Sequence, residues 1–121
     1  MEDYGNRRQE ARKIVMAFTL VHDLKKEKLL GYLRDLTVSG ARVNGEKKQK
    51  INSQLILSIE LPKEFLGGKS GRLNIDAKVA NCLRISEDPA SYEIGFEFTN
   101  LQPEEIKLIE ELLAYYQRRV N

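Results

Sequence analysis

The stretch Tyr92–Tyr116, YEIGFEFTNLQPEEIKLIEELLAYY, changes its hydrophobic period part-way along. In the first part Tyr92, Ile94, Phe96 and Phe98 alternate with Glu93, Gly95, Glu97 and Thr99, the two-residue repeat of a strand with one buried face. After Pro103 the apolar residues recur every three or four positions. Ile106, Ile109, Leu113, Tyr116 and then Val120 form one stripe, widened by Leu108, Leu112 and Tyr115. Proline suits the first helical position. Glu104 and Glu105 sit at the positive end of the helix dipole, and Arg118 and Arg119 at the negative end. The spacing predicts a helix over about residues 103–118, packed on a sheet.

Alternation extends outward from this stretch toward the N-terminus. In residues 72–85, Leu73, Ile75, Ala77, Val79, Leu83 and Ile85 share one face, with Asn74, Asp76, Lys78 and Arg84 on the other. Asn81 interrupts the apolar side, so a bend or bulge is expected there. In residues 51–61, Ile51, Leu55, Leu57, Ile59 and Leu61 alternate with Asn52, Gln54, Ser58 and Glu60, and Pro62 ends the run because it lacks the N–H that a ladder needs. The intervening LGGKSG and EDPAS read as turns. Residues 14–21 are apolar on both sides, consistent with a strand covered on two faces, and Leu29–Leu33 and Ala41–Val43 add two short strands about a turn. Six strands followed by one amphipathic helix predict an all-β fold: a closed or nearly closed antiparallel barrel with the helix against one side or end.

Composition narrows the function. A chain of 121 residues forms one domain with a core that needs no staple. One cysteine cannot make an internal disulfide, and Cys82 with His22 cannot furnish a structural zinc site, so no metal is expected and a reducing, cytoplasmic setting fits. Short runs such as IVMAF fall far below the ~20 residues that span a bilayer, which argues against membrane insertion. The net charge of +2 is an average: residues 1–50 hold 12 basic against 7 acidic groups, and residues 51–121 hold 8 against 11. An anionic partner belongs with the first half.

That half contains two constellations. Arg7, Arg8 and Arg12 lie in a polar segment ahead of the first strand, and guanidinium forks bind phosphate bidentately and stack on bases. As structure alone they would solubilise a terminus. Asp35-Leu36-Thr37-Val38-Ser39-Gly40 lies between two short strands; its polar side chains suit bonds to the local backbone, and Gly40 is placed to supply a positive φ. Read locally this is a hairpin connection. Read functionally, a fixed carboxylate accepts two hydrogen bonds from the N1–H and N2–H edge of guanine. His22, Cys82 and the lysines at 25, 26, 28, 47, 48 and 50 read as strand-end, structural and solvated-loop residues, and Tyr115 and Tyr116 as packing residues.

Together, Arg8-Gln9-Glu10-Ala11-Arg12 and Asp35-Leu36-Thr37-Val38-Ser39-Gly40 resemble the paired signatures R-x-x-x-R and [D/N]-x-S-x-x-G of the PilZ domain, the bacterial receptor for cyclic di-GMP. The DLTVSGARV stretch, the SIELP strand end and YEIGFEF followed by a helix extend the likeness over roughly Arg7 to Tyr116. The resemblance implies a six-stranded antiparallel barrel of split-barrel type with a C-terminal helix, built from residues 14–121 behind a flexible arginine-bearing segment, residues 1–13. It implies a cyclic di-GMP site in which Arg8 and Arg12 contact phosphates and guanines, Asp35 and Thr37 hold a guanine edge, Ser39 completes the turn, and Gly40 lets the backbone approach the ligand.

Thr37 stands in the motif's serine position and keeps the hydroxyl while adding a methyl. Arg7, directly before the arginine pair, favours a stacked two-molecule form of the ligand with its four phosphates. No catalytic set is evident, so the expectation is a receptor that signals to a downstream protein and is not an enzyme. Two other readings stand beside it: a PilZ-like adaptor that binds no nucleotide, and a small barrel for single-stranded nucleic acid. The small net charge and the inward-facing Tyr92, Phe96 and Phe98 disfavour the last.

Overall fold

The computed structural model describes Met16 and residues 18–118. Six strands, β1 (Leu20–Asp23), β2 (Lys28–Leu36), β3 (Gly40–Gly45), β4 (Gln54–Glu60), β5 (Arg72–Glu87) and β6 (Ala90–Phe98), precede the helix α1 (Pro103–Arg118). They close into an antiparallel barrel in the order β1-β2-β3-β6-β5-β4, with β1 pairing back onto β4. Among the described residues β5 pairs with β4 as far as Lys78 and beyond Val79 only with β6, where the long β5–β6 hairpin runs past the barrel. The interior holds the expected alternating residues: Leu33, Val43, Leu57, Ile59, Ile75, Val79, Ile94 and Phe96 are all buried.

The helix begins at Pro103 as the sequence predicts, with Glu104 and Glu105 in its first turn. Gln102 N–H donates to Glu105 Oε1 at 2.9 Å, a side-chain cap on the chain just ahead of the helix. Ile109, Leu112 and Tyr116 are its buried face. Tyr116 Oη and Thr19 Oγ1 meet at 3.0 Å inside the core, tying the helix to the start of the barrel. Tyr115 packs edge-on against Phe65 with centroids 5.6 Å apart. No helix among the described residues is long and apolar enough to cross a membrane.

Three expectations are corrected. The strand expected over residues 14–21 begins only at Leu20; Met16 is helical and fully buried, Phe18 is 82% exposed, and Thr19 N–H donates to Met16 O at 2.8 Å, so the segment turns before it extends. Ile14, Val15 and Ala17 lie outside the described residues. The strand expected from Ile51 begins at Gln54, because Ser53 N–H bonds back to Lys50 O and Asn52 takes a left-handed φ of 70°. That turn leaves Ile51 exposed, while Ser58, expected on the solvent side, is fully buried.

The third correction concerns β5. The irregularity signalled by Asn81 is present as a register shift between Val79 and Asn81 against β6. An extra residue in a strand reverses which side chains face inward. Beyond it Leu83 and Ile85 are exposed, at 63% and 48%, instead of continuing the core. Val120, the last residue of the expected helical stripe, lies outside the described residues.

Candidate functional site

The turn between β2 and β3 is built by its own polar side chains. Thr37 N–H donates to Gly40 O at 2.9 Å, closing a two-residue connection through Val38 and Ser39. The Thr37 hydroxyl oxygen then accepts Ser39 N–H and Gly40 N–H, each at 3.2 Å, and lies 3.1 Å from Ser39 Oγ. Asp35 Oδ1 accepts Leu36 N–H at 2.9 Å. Ser39 O accepts Phe98 N–H at 3.0 Å, which fastens the turn to the end of β6. The local-turn reading of Asp35–Gly40 therefore holds. It is also what fixes a carboxylate and two hydroxyls on one rim of the barrel.

Gly40 does not adopt a positive φ; the described glycines that do are Gly31, Gly67 and Gly68. Its reason is a close approach across the ladder, since a Cβ at Gly40 would stand 2.2 Å from Phe96 O. The glycine lets β3 lie against β6 at the mouth of the turn.

This rim opens onto a cavity of about 520 Å³, within the ~300–1,000 Å³ usual for small-molecule sites. Asp35, Thr37, Ser39 and Gly40 line one side. Arg42, Asn81, Glu93, Gly95 and Glu97 line the rest, contributed by β3, β5 and β6. Four of the predicted site residues are thus brought together. Arg7, Arg8 and Arg12 lie outside the described residues.

The second set of lining residues escaped the sequence reading. Arg42 pairs with Asp35 as the facing residue of the β2–β3 ladder, and its Nη2 stands 3.5 Å from Asp35 Oδ2 while Nη1 stands 3.6 Å from Glu93 Oε1. Glu93 also takes Arg34 Nε at 3.2 Å, and Lys78 meets Glu97 at 3.7 Å on the lip. The Asn81 amide lies flat over Gly95: a Cβ there would fall 2.5 Å from Asn81 Oδ1. The polar break at Asn81 was visible in the sequence as a bulge, but its place in the cavity follows only from the pairing of β5 with β6.

Among the described residues no group of three or more His, Cys, Asp or Glu is placed to hold a metal. His22 bonds Glu60 Oε2 through Nε2 at 2.9 Å, and the sulfur of half-buried Cys82 accepts Gln49 N–H at 3.5 Å, both structural roles away from the cavity lining.

The barrel and its capping helix have counterparts among solved structures. The PilZ domain of YcgR from Escherichia coli, solved with c-di-GMP, superposes with a TM-score of 0.64 at 14% identity, covering 84% of this chain and 82% of that one. Bacillus subtilis MotI/DgrA, an inhibitor of motility, matches with a TM-score of 0.60 at 16% identity over 84% of this chain and 45% of that one. The K. pneumonia MrkH–c-di-GMP complex gives 0.59 at 16% identity over 85% and 49%. The chain thus spans most of the first and about half the length of the other two. No curated protein matches it in sequence. The family model for the PilZ domain, however, matches residues 6–115, from just before the arginine pair to the last turns of α1, and the chain therefore belongs to the PilZ domain family.

Proposed function

We propose that this protein is a cyclic di-GMP receptor in which the ligand pins the Arg7–Arg12 segment against the barrel and so presents a changed surface to a downstream protein partner. The observation that carries the reading is the fixed turn. Asp35, Thr37, Ser39 and Gly40 stand together on one wall of an open cavity, in a chain that places Arg8 and Arg12 ahead of β1 within the family match. Two structural neighbours are described with c-di-GMP bound, and the family is one of ligand-binding and adaptor domains.

The chemistry follows from the residue types. Asp35 is an acceptor for the N1–H and N2–H of a guanine, and the guanidinium forks of Arg8 and Arg12 suit the two phosphates and the faces of the bases. Fixing about a dozen residues costs on the order of 10 kcal/mol at ~1 kcal/mol each, so several charge-assisted bonds must form together. Loss of one arginine is then severe. Thr37 spends its oxygen on two backbone N–H groups, so it supports the site by holding the turn and its methyl need not meet the ligand. Against the single-stranded nucleic acid alternative, Phe96 and Phe98 are buried in the barrel and so are not available for stacking on bases. A cytoplasmic setting is part of the proposal, since that is where such a ligand is made and read.

Calorimetric titration with cyclic di-GMP tests the function. Saturable binding is expected, with Arg8→Ala and Arg12→Ala each weakening it at least ~tenfold, or ~1.4 kcal/mol. Near-normal binding by both variants would refute the site. A stoichiometry of two ligands per chain is expected from Arg7, and one per chain removes that part of the reading.

A further inference from the structure

We propose that Arg42 is a specificity-determining residue that joins Asp35 in reading the whole Watson–Crick edge of a guanine. The inference rests on the cyclic di-GMP reading and adds a residue that lies outside both the arginine pair and the turn motif. Three observations place it. Arg42 faces Asp35 directly across the β2–β3 ladder. Its side chain is 55% exposed on the cavity wall, while the carboxylates of Asp35 and Glu93 on either side of it are 16% and 23% exposed. Its contacts of 3.5 and 3.6 Å to those carboxylates are longer than the ~2.7–2.9 Å of a tight charge-assisted bond. The fork is thus drawn along the rim between the two carboxylates without a tight bond to either, and its half-exposed guanidinium is within reach of a ligand.

The order of hydrogen-bonding groups is what gives the pair its selectivity. An ionised carboxylate only accepts and a guanidinium only donates. Along the rim, Asp35 followed by Arg42 presents acceptor, acceptor, donor. The guanine edge presents N2–H, N1–H and O6, which are donor, donor, acceptor, and the two series complement each other group for group. Arginine donation to O6 is a familiar form of guanine recognition. Adenine in the same pose sets its N6 amino group against the guanidinium and its bare N1 against the carboxylate, so two like groups meet and both protein charges lose their partners. Glu93 acts as a positioning residue, holding Nη1 so that Nη2 stays beside Asp35.

The test measures binding of cyclic di-GMP, cyclic di-IMP and cyclic di-AMP to the full chain and to Arg42→Met, which keeps the apolar stem and removes the fork. The inosine analogue retains O6 and N1–H but lacks the 2-amino group, so it separates the contribution of Arg42 from that of Asp35. Expected is a loss of about tenfold for both cyclic di-GMP and cyclic di-IMP, with cyclic di-AMP unchanged or tighter. Arg42→Lys should recover part of the loss, since one ammonium donor can reach O6. Glu93→Gln should lower the preference for guanine over adenine by a smaller factor. An equal fall for all three ligands shows a general charge contribution to phosphate and overturns the proposal, as does no change. Wild-type protein that binds none of the three overturns the cyclic di-GMP reading and this one with it, whereas tight cyclic di-GMP binding with an unaltered guanine-to-adenine ratio in Arg42→Met overturns this one alone. A thermal melt of each variant confirms the fold, which a half-exposed side chain should leave intact.

Discussion

Gly40 occupies the last position of the turn motif, and its structural reason is independent of any ligand. A methyl group at this position would meet the Phe96 carbonyl, a backbone atom held in the β3–β6 ladder that cannot move aside alone. Gly40→Ala should therefore destabilise the barrel by about 1–3 kcal/mol, as overpacking does, and lower the melting temperature measurably. A variant that melts like wild type but loses cyclic di-GMP would instead assign the glycine to ligand approach. Gly95 contrasts with it. The atoms a Cβ would meet there belong to the Asn81 side-chain amide, which can swing out, so Gly95→Ala should cost less stability and act through the cavity floor. Ser58 offers a third residue-scale case: its hydroxyl is fully buried with no hydrogen-bond partner among the described residues. Removing an unsatisfied polar group costs nothing in bonds, so Ser58→Ala should leave the melting temperature unchanged or raised.

At the scale of elements, the joint between α1 and the barrel is a polar contact inside an apolar seam. Burial pushes the Tyr116 phenol above its ordinary 10.0; the Thr19 hydrogen bond opposes that rise, and Tyr115 beside it adds to it. The unfolded chain ionises this group near pH 10 while the folded chain keeps its proton. Its contribution to stability is therefore whole below pH 10 and is lost as pH rises toward the folded value. Tyr116→Phe should cost about 1 kcal/mol at neutral pH, by orphaning the Thr19 hydroxyl, and should flatten the alkaline limb of a stability-against-pH curve. An unchanged alkaline limb would mean that the joint opens before the phenol ionises. The helix itself was legible in the sequence because proline, acids and a 3.6-residue stripe all report locally. The strands were legible for the same reason, through alternation. What escaped was the phase of that alternation: Leu83 and Ile85 fit the pattern of Leu73 to Val79 and yet face solvent, because the shift at Asn81 flips the pleat, and Ile51 fits the pattern of Leu55 to Leu61 until left-handed Asn52 breaks it. The turn of the candidate site reports locally too. Arg42, Asn81, Glu93 and Gly95 do not, since they meet only through the registers of three strands.

For the whole molecule, the unequal charge of its two halves does not become two charged faces. Barrel closure sets β3 beside β6, so Arg34 and Arg42 from the basic half meet Glu93 from the acidic half, and His22 meets Glu60 across the β1–β4 seam. Residues 1–13 hold 4 basic against 3 acidic groups and residues 14–50 hold 8 against 4, so what the segment ahead of the barrel adds is three guanidinium forks and little net charge, which argues for a division of labour. Strands β1–β6 and α1 carry the closed ladder, the core and the fixed turn, while residues 1–13 carry the forks. Deleting residues 1–13 should leave a cooperative melt within a few degrees of wild type, because the barrel closes through Leu20–Phe98 and its helix joint runs through Thr19 and Tyr116. The same deletion should abolish saturable heat on titration with cyclic di-GMP, since Asp35 and Arg42 offer one base edge and nothing for two phosphates. Collapse of the melt would make the segment part of the scaffold. Retained binding would move recognition wholly onto the barrel wall, with Arg42 as its remaining fork, and the arginine pair would then serve the signal instead of the affinity.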